Sequence, residues 1–125
     1  MRPENRGFDS FFGYLQGAED HYTRIQLQRK DWYGVDFSDG GKPSNATWGH
    51  YGSDLYSKKV QDVLDKQTGP FFLYYSMQNV HYPLQAPEHE QLKYKWIKDE
   101  QRRDYAAMLA ATDKASGLKV YIQRF

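Results

Sequence analysis

Cysteine is absent from the 125 residues, which excludes disulfides, thiolate zinc sites and a cysteine nucleophile within this stretch. The absence leaves the compartment open, because cytosolic and lumenal proteins can both do without it. Long apolar runs are missing too: none approaches the ~20 residues that cross a bilayer, so no membrane partner is expected. The opening MRPENRGFDS has no h-region, so no signal peptide is read there; either the protein is not exported or its front end lies elsewhere. Charge of one sign is scarce. Seventeen basic against 16 acidic residues give a formal net charge of +1, and the two signs are mixed, without the basic stripe of a nucleic-acid binder.

Several reactive patterns are also lacking. There is no phosphate-cradling Gly-Lys-Ser/Thr loop, no Gly-x-Ser-x-Gly elbow and no alternating acidic calcium loop. His21, His50, His81 and His89 show no ligand spacing. His89-Glu90 begins like a zincin helix, but Lys93 stands where the second histidine belongs.

What the chain has in quantity is aromatic side chains, 17% of residues with 11 Tyr, 7 Phe and 3 Trp. They argue against disorder despite a mean hydropathy of -0.91. Buried tyrosines explain them, and a sugar-stacking surface is the other use. The length suits one domain, residues 1–125. Phe71 to Met77 is a nearly unbroken apolar run opened by Gly69-Pro70, which reads as a strand buried on both faces, as in a parallel sheet flanked by helices. Gln78, Asn79 and His81 follow, with Pro83 and Pro87 preventing helix. In open α/β sheets the ligand crevice lies beyond the carboxyl ends of the strands, so His81 is delivered to where chemistry is done. From position alone, the imidazole serves equally as an anion contact or as a ring satisfying a turn carbonyl.

Other segments are read from local pattern. Met1 to Gly17 is a loop pinned by Phe8, Phe11, Phe12 and Tyr14. Glu19 to Lys30 is a short strand or irregular loop, and Glu19-Asp20-His21, which converge only in a tight turn, read as solvated. Asp39-Gly40 closes a hairpin whose first strand is Trp32 to Phe37. Asn45-Ala46-Thr47 is an N-glycosylation acceptor if the chain enters a secretory lumen. A helix is expected over Ser53 to Gln67, with Ser53 as N-cap and Tyr56, Val60 and Val63 on one face. Glu88 to Ile97 reads as one helical turn. A second helix spans Lys98 to Gly117, with Tyr105, Met108, Leu109 and Thr112 sharing a face and five alanines favouring close packing.

Three stretches then line up in order: Arg6 to Arg24 (RGFDSFFGYLQGAEDHYTR), Val35 to Gly40 (VDFSDG) and Phe71 to Glu88 (FFLYYSMQNVHYPLQAPE). Together with Asp104 to Gly117 they resemble the middle of the sulfatase catalytic domain, in the arylsulfatase branch. The resemblance implies an α/β, alkaline-phosphatase-like domain with a central buried, mostly parallel sheet flanked by helices, of which this chain is an internal fragment. It implies a sulfuric ester hydrolase of the lysosome or secretory pathway acting on a sulfate ester or sulfated glycan. The family histidine that contacts the substrate sulfate maps onto His81, which tips the open choice at that residue.

The resemblance also implies calcium, which neutralises sulfate oxygens, and formylglycine, made from Cys or Ser in a C/S-x-P-S/T-R motif, whose hydrate attacks sulfur. Neither has its residues here. The nearest imitation, Gly41 to Asn45, lacks nucleophile and arginine, and the family's Asp-Asp pair, Gly-Lys-x-His segment and Asp-Asn ligands are absent. The arylsulfatases' cysteine pair is replaced near Trp32 and Tyr33. Two functional classes follow: part of a hydrolase, inactive alone, or a non-catalytic sulfatase-like piece that binds sulfated glycans or a scaffold partner.

Overall fold

A computed structural model of the chain describes residues 2–26, 33–45 and 47–117. It divides into two units, Met1–Tyr51 with His81–Pro83, and Gly52–Val80 with Leu84–Phe125.

The first unit is built on turns. A 3-10 turn, Pro3–Arg6, ends at Gly7 in the left-handed region. A small antiparallel sheet follows, made of β1 (Phe12–Gly13), β2 (Ser38–Asp39) and β3 (Lys42–Pro43), in that order. The hairpin turn falls on Gly40-Gly41, with φ of 56° and 77°. Two successive positive φ values match the twist of a two-residue hairpin, and glycine adopts them without steric cost. The turn is therefore one residue later than Asp39-Gly40 predicts. The first strand is Ser38–Asp39 rather than Trp32 to Phe37, and Trp32 lies outside the described residues. Phe37 is buried and meets Phe12 edge-on at 4.9 Å, which ties the hairpin to the opening loop.

The segment expected to be a solvated loop is instead the interior of this unit. Glu19, His21, Arg24 and Gln26 are buried. Isolated antiparallel bridges join Glu19 to Gln26 and Ile25 to Val35. The reversal between them is a tight turn made by Asp20, whose carboxylate accepts the Tyr22 and Thr23 amides at 3.0 and 2.8 Å. An aspartate that caps its own turn allows neighbouring side chains to converge, which alternation along a strand forbids. Leu27 to Lys30 lie outside the described residues.

The second unit holds the helices. The first, α1 (Gly52–Lys66), places Asp54 in its first turn and Lys66 in its last, in the sense the helix dipole favours. It begins one residue earlier than expected, so Ser53 lies inside the first turn and its carbonyl accepts the Ser57 hydroxyl at 2.7 Å. Next come α2 (Glu88–Gln91) and a 3-10 turn, Leu92–Tyr94. The last, α3 (Glu100–Ser116), is capped by Asp99, which accepts the Arg102 amide at 2.7 Å.

The buried line of α3 is Ala107, Met108, Ala111 and Ala115, rotated from the expected face. Tyr105 and Leu109 are 46% and 48% exposed. Alanines at successive i, i+4 positions let a neighbouring helix approach closely, and α3 packs against both α1 and α2. The core is Met108 and Ala107 with Ala86, flanked by Val80, Leu84 and Tyr94.

Phe71 to Met77 departs furthest from expectation. It carries no strand or helix. Phe72 and Tyr74 are 78% and 70% exposed, so the run is not a buried parallel strand here. A strand buried on both faces needs paired neighbours and a layer on each side, and the pairings among the described residues are antiparallel and belong to the first unit. Helices plus a small sheet remain an α/β composition.

In the purified chain, Met108→Ala should lower unfolding stability by about 2–5 kcal/mol through the cavity it leaves. Leu109→Ala, on the exposed side, should stay within about 0.5 kcal/mol of wild type; urea unfolding of both variants checks the rotated face.

Candidate functional site around His81

His81, Tyr82 and Pro83 belong to the first unit, and His81 is exposed. Its Nδ1 lies 2.9 Å from the Tyr82 carbonyl. A carbonyl only accepts, so Nδ1 carries the proton. Nε2 then has no partner among the described residues, and becomes a donor when the ring takes a second proton. An imidazole in that state presents one N–H to an anionic oxygen.

The backbone of His81 is held from below. His21 Nε2 lies 3.2 Å from the His81 carbonyl and, by the same reasoning, donates to it. His21 is 0% exposed and stacks on Tyr51, with ring centroids 5.8 Å apart and planes 17° from parallel. Tyr22 closes the other contact to Tyr51 at 5.3 Å.

Arg24 fixes both members of the stack. Its guanidinium donates from Nη1 to the His21 carbonyl at 2.5 Å and from Nη2 to the His50 carbonyl, next to Tyr51, at 2.6 Å. Glu19 lies 3.9 Å from Nη1 and is itself buried, and the Phe37 ring centroid is 5.9 Å from the guanidinium carbon. Arg24 has a φ of 60°, a left-handed conformation that costs a residue with a side chain about 1–2 kcal/mol. The Asp20 turn, which accepts the Arg24 amide at 3.1 Å, and the Asp36 amide on the Arg24 carbonyl at 2.9 Å hold it there.

Burial dominates the titration of His21, lowering its pKa below the ordinary 6.5 by penalising the charged ring. The bond to the His81 carbonyl opposes this, the Arg24 charge adds to it, Asp20 opposes it and His81 adds a little. Burial also raises the Tyr14 hydroxyl, helped by the negative charges of Glu19 and Asp36 and opposed by Arg24.

The two residues singled out from sequence are not brought together. Asn45 is exposed, on a turn where its carbonyl accepts the Trp48 amide at 3.1 Å. Thr47 of the same triplet is buried, and Ala46 lies outside the described residues. Among the described residues, no three His, Cys, Asp or Glu side chains converge on a metal position. Asp36 is engaged by the Leu15 and Gln16 amides. Lys93, which breaks the zincin pattern, pairs with buried Glu90 at 2.7 Å. A hollow of about 260 Å³ in the first unit, walled partly by Arg2, Gln16, Asp36 and Ser38, does not include His81.

The residues that sequence reasoning missed are His21, Arg24 and Tyr51. The capping habit of Asp20 was the available signal for His21; no local pattern marks Arg24 or Tyr51, because their partners are distant in sequence.

A histidine whose folded pKa is depressed contributes stability that is complete above its unfolded value and lost as pH falls from there through the folded value. Unfolding stability should therefore decline as pH drops below 6.5, and His21→Gln should flatten that part of the profile, read by urea titrations at successive pH values.

Residues 1–117 match the sulfatase family. Arylsulfatase J of Mus musculus is 40% identical over 119 residues, covering 90% of this chain and 19% of that protein. Among solved structures, Ps i-CgsB in complex with k-i-k-neocarrahexaose superposes with a TM-score of 0.78 at 28% identity, over 93% of this chain and 28% of that one. Ps i-CgsB alone gives 0.75 at 29% identity with the same coverage. The chain thus spans about a fifth of the curated relative's length, and its match runs through both the Asp20 turn and His81. It belongs to the sulfatase family.

Proposed function

We propose that residues 1–125 are an internal part of one catalytic domain of a sulfuric ester hydrolase, an arylsulfatase acting on sulfated glycans, and that His81 contacts the substrate sulfate. The observation that carries the reading is the exposed His81 ring, with Nδ1 committed to the Tyr82 carbonyl and Nε2 left to face an anion. Family membership supports the reaction class, and a related structure solved with a neocarrahexaose supports a saccharide as substrate.

Two demands shape the site. A sulfate monoester keeps a negative charge in water, so binding it requires donors that offset its desolvation. A doubly protonated His81 supplies one, aimed by its own bond to Tyr82. Calcium and formylglycine are the family's means of neutralising sulfate oxygens and attacking sulfur, and the residues here do not fit either. The chain has no cysteine and no C/S-x-P-S/T-R motif, and its described acidic residues do not converge. In this reading those groups are held by other parts of the protein, and residues 1–125 alone are inactive. The same reading places the protein in the lysosome or secretory pathway, where exposed Asn45 is a glycan acceptor.

In the full-length protein carrying this sequence, His81→Ala should cut kcat/KM on an aryl sulfate about 10- to 100-fold. That is the loss expected when one hydrogen bond to a charged group, about 1.5–3 kcal/mol, is removed. Unchanged kinetics would show that the ring does not touch substrate. Expressed through a secretory pathway, the protein should shift in mass on deglycosylation, and Asn45→Gln should remove the part of that shift due to this triplet; an unaltered shift excludes Asn45.

A further inference from the structure

We propose that His21 is a positioning residue for His81, aiming the exposed ring through the backbone of the 81–83 turn. The inference rests on the reading of His81 as the sulfate contact and adds what controls its direction.

An exposed imidazole on a turn samples several rotamers, and each one dispersed away from substrate weakens binding. Two restraints limit that freedom here. His81 Nδ1 is bound to the Tyr82 carbonyl, which locks the ring to the local peptide. The adjoining peptide, between His81 and Tyr82, is anchored by His21, whose Nε2 meets the His81 carbonyl at 3.2 Å. The ring direction is thus only as fixed as His21.

His21 is fixed thoroughly. It is fully buried, stacked on Tyr51, and its carbonyl is clamped by Arg24. The same guanidinium clamps the His50 carbonyl beside Tyr51, so one planar fork holds both faces of the stack in register. The left-handed backbone of Arg24 lies within the same arrangement, where conformational cost is found when surrounding contacts over-determine it. A buried histidine used only for packing needs no donor aimed at a neighbouring turn, and Phe would fill the same stack without a polar atom. The donor is what distinguishes positioning from filling.

The test uses the full-length protein carrying residues 1–125, with His81→Ala in parallel. His21→Phe keeps the stacking surface and removes the donor; it should raise KM for an aryl sulfate roughly 2- to 10-fold, the equivalent of one neutral hydrogen bond, with kcat little changed. His21→Gln restores an N–H at similar reach and should return KM towards wild type. The ¹⁵N signals of the His81 ring should move in His21→Phe and return in His21→Gln.

A wild-type KM in His21→Phe, beside an impaired His81→Ala, overturns the positioning role alone. Equal impairment in His21→Phe and His21→Gln assigns the effect to packing and likewise overturns it. An unimpaired His81→Ala overturns both the substrate contact and this inference. Should His21→Phe fail to fold, the wild-type protein decides: ¹⁵N-labelled His21 must be the Nε2–H tautomer, and an Nδ1–H tautomer refutes the donor.

Discussion

A guanidinium withdrawn from water is the interaction on which the first unit depends. Removing such a charge from solvent costs several kcal/mol unless its donors are met. Arg24 gives Nη1 and Nη2 to two backbone carbonyls, with the Glu19 carboxylate and the face of Phe37 close by. Those partners come from the Asp20 turn, the residue before Tyr51 and the hairpin approach. Holding one buried charge therefore draws together segments that, among the described residues, are joined by isolated bridges rather than a long ladder. In a unit whose strands are two residues long, polar satisfaction does what a sheet ladder does elsewhere.

The second unit is organised by size rather than charge. Alanines along α3 admit α1 and α2, and Met108 fills the space that remains. The Asn79 side chain donates to the Met108 carbonyl at 2.9 Å, and the Thr112 hydroxyl meets the same oxygen at 3.0 Å. The segment before His81 is thereby fastened to the helix at its most buried residue. Phe72 and Tyr74 are left exposed. Aromatic side chains exposed in series favour association.

Family membership and site geometry answer different questions. The family match fixes the family to which the chain belongs. A fold or family does not by itself say which atom touches substrate. His81 is the candidate because its Nδ1 is committed to the Tyr82 carbonyl and a buried ring holds its own carbonyl.

The sequence by itself determined the helices and placed the hairpin reversal to within one residue. Periodicity, turn chemistry and the punctuation of Gly69-Pro70 are local, and local rules act over the few residues that a pattern spans. Tertiary structure decided the rest. It buried the Glu19–Gln26 turn, turned α3 onto its alanines, exposed Phe71 to Tyr74 and set His21 beneath His81. Each of these depends on partners tens of residues away, and whether a polar side chain is solvated or buried is settled by whether those partners arrive.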